Sequence, residues 1–161
     1  MRFKQFIIYG LILFTMISCG RNENRHLKIL NKNLNKFNNL RTLIESKYES
    51  ILTDSVKKRE RVVFVDCEQE QKLSNDYVCD DKEVIEIMKD LDLREIRFEH
   101  KVSCKEKVFS EIYFQEKKVF HYPIVYFLYE YCGTTEKVET QTIFYKPIND
   151  NWSLYIDSNF P

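Results

Sequence analysis

The residues able to do covalent or acid–base chemistry are few, and cysteines dominate them. Cys19 stands directly behind an apolar run, Phe6 to Ile17, and just ahead of a polar stretch that begins at Arg21. Four further cysteines follow: Cys67, Cys79, Cys104 and Cys132. A thiol can be acylated, oxidised to a disulfide or deprotonated onto a metal. There is no Cys-x-x-Cys pair, and only His100 stands close to a cysteine, four residues before Cys104. That spacing does not match a structural zinc site, so no metal ligand is assigned. His100 shares a strand face with Ile96, Phe98, Val102 and Cys104, where a histidine either is hydrogen-bonded in the core or, beside a carboxylate, does acid–base work. His121 and Tyr122 precede Pro123 at an expected bulge or strand start and read as structural. His26 falls in a polar tether. Glu130, between Tyr129 and Tyr131, reads as a strand-end residue reaching solvent, with a pocket carboxylate as the other option. Gly-x-Ser-x-Gly, His-Glu-x-x-His, P-loop and dinucleotide motifs are missing. Asp76, Asp80 and Asp81 lack the calcium-loop pattern. No catalytic residue and no cofactor is therefore assigned.

The start of the chain has a direction of its own. Arg2 and Lys4 are followed by twelve apolar residues and then by Ser18. A charged start, a short apolar core and a small residue at the cut form a secretory signal. The run is too short to span a bilayer, which takes about 20 residues. Met16-Ile17-Ser18-Cys19, followed by Gly20, resembles the lipobox of a bacterial lipoprotein, of the looser Bacteroidota type. The resemblance implies removal of residues 1–18, lipidation of Cys19 and attachment to a membrane through that lipid. Gly20 stands where an inner-membrane retention signal would have Asp. Arg21-Asn22-Glu23-Asn24-Arg25 carries one acid against two bases. By the same resemblance these imply an outer-membrane location facing the periplasm, with surface display left open.

An envelope location is oxidising, and four remaining cysteines suggest two disulfides. Three pairings are possible; the expected one is Cys67–Cys79 with Cys104–Cys132. The first would close a short polar loop worth about 2–3 kcal/mol in the chain-entropy model.

The chain has 161 residues, enough for one domain after the signal. Its 25 cations balance 25 anions, which gives no field for nucleic acid. Three Gly and three Pro argue against long linkers, while twelve Phe and ten Tyr, mostly late in the chain, favour sheet. A tether at residues 19–26 leads into a single α+β domain over 27–161. Leu27, Leu30, Leu34, Phe37, Ile44, Tyr48 and Ile51 predict an amphipathic helix over 27–57. Its heptad positions are apolar except Arg41, so a coiled coil is the alternative to a stripe packed on a sheet. A strand over 61–66 follows, then a polar loop, then a helix over 81–91 with Asp80-Asp81 as its cap. Antiparallel strands fill 94–157 as a meander, with Glu95, Arg97 and Glu99 on a wet face and Ile124 to Tyr129 in a central strand buried on both sides. The fold class is α+β: a long N-terminal helix and a short second helix on a curved antiparallel sheet of about five to six strands. The element order, with the closing hairpin Phe144 to Tyr155, loosely resembles cystatin-like and NTF2-like layouts.

The function expected from these features is a lipid-anchored envelope protein with a non-catalytic binding or structural domain, its partner unknown. Two alternatives are carried. One is an inhibitor or immunity-type protein acting in the periplasm through the acidic loop from Cys67 to Asp81. The other is a small NTF2-like enzyme with a pocket near His100.

Overall fold

The computed structural model describes residues 23–58, 60–66, 77–78, 81–99, 111–117, 123–133 and 140–159. Helix α1 (Glu23–Lys47) buries Leu30, Phe37, Leu40 and Ile44, four positions at helical spacing. It begins before the expected start at 27, so His26 lies on the helix and is buried rather than part of a tether. Helix α2 (Glu49–Lys58) follows after one bent residue, Tyr48. The backbone ladder survives the bend, with Tyr48 N–H donating to Ile44 O at 3.0 Å and Leu52 N–H to Tyr48 O at 2.9 Å. The bend falls where the Tyr48 ring meets Phe64 edge-on at 5.1 Å.

Strands β1 (Val62–Val65) and β2 (Tyr77–Val78), helix α3 (Lys82–Asp90), and strands β3 (Leu93–Glu99), β4 (Glu111–Glu116), β5 (Ile124–Glu130), β6 (Ile143–Pro147) and β7 (Trp152–Asp157) follow among the described residues. Among the described residues the sheet has seven strands in the order β2-β1-β3-β4-β5-β7-β6. All neighbours are antiparallel except β1 and β2, a short parallel pair in which Val63 faces Tyr77. The class is α+β, as expected. Strand β2 is an addition to the expected sheet, since two residues inside a polar stretch carry no alternation to read.

The simple meander fails at its end. β7 enters between β5 and β6. Composition explains the swap. Trp152, Leu154 and Ile156 of β7 are buried, whereas Lys146 and Pro147 of β6 are exposed. A strand with a lysine and a proline, which lacks an N–H to donate, belongs at an edge. Pro123 lies just before β5, at its start, and not within it.

Helix α1 fits the sheet through Phe37. Its ring sits 5.4 Å from Phe114, 5.1 Å from Phe127 and 5.7 Å from Trp152, all edge-on. Ile96, Phe98, Ile112, Val125, Leu154 and Ile156 extend this core on the same side. The helical stripe is thus spent on the sheet. Arg41, the charged position in the heptad pattern, stacks 4.6 Å from the Tyr129 ring centre. Two left-handed residues close turns: Asp92 (φ 55°) after α3 and Gly133 (φ 86°) after β5. A Cβ at Gly133 would stand 3.5 Å from Asp150 O, and its φ favours glycine.

Candidate functional site

Period-two alternation sends every second side chain of β3–β7 to the sheet face opposite the helical core. On β4 those residues are Glu111, Tyr113 and Gln115; on β5, Tyr126, Leu128 and Glu130; on β7, Ser153 and Tyr155; on β6, Tyr145. Tyr113, Tyr126, Leu128 and Tyr145 form a second, smaller cluster, with Ile124 and Tyr155 against it. This face carries carboxylates and phenols together.

Glu130 is its centre. It is 2 % exposed, with its carboxylate turned into the structure and not to solvent. Oε2 accepts from the Tyr145 hydroxyl at 2.7 Å and from Ser153 Oγ at 2.7 Å. The two hydroxyls are themselves 2.8 Å apart. With the carboxylate ionised, two hydroxyl protons serve three contacts, and both go to the charge. Burial first, with Glu130 adding to it, raises the Tyr145 phenol well above the ordinary tyrosine range. Glu130 stands directly across the β4–β5 ladder from Glu111, which is also buried and accepts from the Tyr113 hydroxyl. Burial and that carboxylate push the Tyr113 phenol up as well.

Arg97 borders the same face. Its guanidinium lies 4.7 Å from the Tyr113 ring centre and 5.3 Å from that of Tyr126. Its Nε is 2.8 Å from Glu99 Oε1. The expected wet face of β3 is therefore half-buried, because tyrosines on β4 and β5 cover the arginine stem and plane.

Three polar sets lie on the helical side. His26 Nδ1 is 3.2 Å from Glu116 Oε2, and both side chains are buried. Arg41 Nη1 lies 2.8 and 2.9 Å from the two Glu45 oxygens, and the Tyr131 hydroxyl donates to Glu45. Asp81 caps α3, accepting from Glu83 N–H at 3.1 Å and Val84 N–H at 3.2 Å. It also accepts from the Tyr48 hydroxyl and pairs with Lys47 Nζ at 2.8 Å. Burial works against the Asp81 charge, and these donors more than offset it, holding the carboxyl down at about 2. Burial, with Asp81 adding to it, pushes the Tyr48 phenol up to about 12.

Of the cysteines singled out by sequence, only Cys132 lies among the described residues. It follows β5 and is exposed. Cys19, Cys67, Cys79 and Cys104 lie outside the described residues, as do His100, His121 and most of the acidic loop. No group of three or more His, Cys, Asp or Glu suited to a metal occurs among the described residues. Sequence reasoning missed the Glu130–Tyr145–Ser153 set. Its one signal was Glu130 inside an aromatic strand, in register with hydroxyl residues of the closing hairpin.

The geometry thus defines an α+β domain with a helix-covered face and a tyrosine–carboxylate face. No family model matches the chain, and no significant match is found among curated proteins or solved structures.

Proposed function

We propose that this protein is a lipid-anchored lipoprotein of the bacterial cell envelope, placed on the outer membrane and facing the periplasm, whose domain binds or supports a partner without catalysis. Cys19, behind Arg2, Lys4 and the Phe6–Ile17 apolar run, carries the reading. The even number of cysteines after Cys19, four, supports an oxidising compartment. Among the described residues, the buried carboxylate best placed for acid–base work, Glu130, is taken up by the Tyr145 and Ser153 hydroxyls. Such a closed set supplies rigidity and leaves few lone pairs for a substrate. Metabolic labelling with a tagged fatty acid tests the anchor. The wild-type chain should take up label and fractionate with membranes. Cys19→Ser should take up none and remain unprocessed. Label retained by Cys19→Ser would refute the assignment.

A further inference from the structure

Helix α1 has an unusual charge distribution. Between Glu23 and Glu45 it contains five cations, Arg25, Lys28, Lys32, Lys36 and Arg41, and no acid. Arg41 turns to Glu45 and the Tyr129 ring. Arg25, Lys28, Lys32 and Lys36 recur at three- and four-residue intervals, so they form one stripe along the helix. All four are exposed.

The partners of that stripe change along its length. Where α1 runs beside α3, its lysines meet acids: Lys36 Nζ is 2.6 Å from Asp90 Oδ2, and Lys47 reaches Asp81 at 2.8 Å and Glu83 at 3.4 Å. Lys47 contacts the start of α3 and Lys36 its end, so the two helices run antiparallel, and the N-terminal turns of α1 continue past α3. There Arg25, Lys28 and Lys32 have no acidic partner within ion-pair distance among the described residues. The unpaired cations therefore sit at the end of the helix nearest Cys19. Three residues lie between Cys19 and Glu23, four Cα steps that reach at most about 14 Å even fully extended. The stripe from Arg25 to Lys32 covers about 10 Å of helix.

We propose that Arg25, Lys28 and Lys32 form a membrane-docking stripe that lays the N-terminal turns of α1 against anionic phospholipid headgroups. The proposal rests on the lipid anchor at Cys19, which brings the stripe to the surface. Charge complementarity selects the occupant: each cation within a Debye length of an anionic leaflet is attracted to it, and the short connection keeps them there. The tyrosine–carboxylate face belongs to the opposite side of the sheet from α1, so docking would leave it turned away from the lipid.

Amine footprinting tests this without introducing new cysteines. The lipidated protein purified from its native membrane is placed in phosphatidylcholine vesicles, and in vesicles where phosphatidylglycerol replaces part of that lipid. Reaction of each lysine with an amine-specific reagent is read by peptide mass. Lys28 and Lys32 should slow by roughly ten-fold on the anionic vesicles and recover in about 0.5 M salt, while Lys146 on edge strand β6 stays unchanged. Equal reactivity of Lys28 and Lys32 on both vesicle types overturns the stripe. So does protection seen in native membranes but in neither lipid mixture, which assigns these cations to an acidic protein. Flotation separates the anchor from the stripe. Protein that leaves neutral vesicles but stays on anionic ones with Lys28 and Lys32 protected keeps the stripe without the anchor. Protein that floats with neither refutes both.

Discussion

Glu130 shows how a residue's chemistry is set by neighbours that sequence keeps far apart. Its carboxylate is buried yet held by hydroxyls from β6 and β7. A buried charge is tolerable when it is hydrogen-bonded, and removing a donor exposes the cost. Tyr145→Phe should therefore lower stability by about 1–3 kcal/mol, read as a lower urea midpoint. An unchanged midpoint would mean that the Ser153 contact alone suffices. Asp81 gives a pH prediction. Its carboxyl is held at about 2, below the model-compound 3.8, so folding favours the ionised form. The resulting stability is complete above about pH 4 and disappears as pH falls through 2. Wild type should lose stability across that window more steeply than Asp81→Asn, which keeps a capping oxygen but does not titrate. Parallel acid-unfolding curves for the two would contradict the linkage. Asp81 was legible in the sequence because a cap precedes its helix by fixed spacing. Glu130 was not, since its partners are set by strand order, and a glutamate at a strand end usually finds water.

Among elements, periodicity was readable and neighbour choice was not. The stripe of α1, the short strand β1, the capped helix α3 and the aromatic β5 all follow from local patterns. The sheet order does not, because β6 and β7 have similar lengths and the decision between them is made by which face of which strand can be buried. Lys146 and Pro147 were the available clue. Tyr77–Val78 adds an edge through backbone pairing, which side-chain pattern does not report. The helix–sheet contact centres on Phe37, whose ring meets Phe114, Phe127 and Trp152. Phe37→Ala should cost about 3–5 kcal/mol, because three aromatic partners anchored on different strands cannot collapse into the gap. Phe37→Leu should cost clearly less, as it keeps most of the volume. Equal losses for both in chemical denaturation would place the core elsewhere. His26, read from sequence as tether, belongs to this layer: it is buried on α1, 3.2 Å from Glu116 at the end of β4.

The whole molecule is balanced in charge but not evenly charged. Cations gather on α1, and α3 answers them along only part of its length. Attached through Cys19, such a domain would stand close to the bilayer rather than out on a long linker, with its tyrosine–carboxylate face on the far side of the sheet. On the function proposed above, that arrangement would leave a fixed surface free for a partner. All of it depends on the fate of Cys19 and on the compartment in which the other cysteines reside. The decisive measurement is the intact mass of the protein from its native membrane, alkylated with and without prior reduction. A disulfide-bonded lipoprotein would give a chain beginning at Cys19, heavier by two or three acyl chains, with its four other thiols alkylated only after reduction. A chain still beginning at Met1, or thiols alkylated without reduction, would contradict that reading.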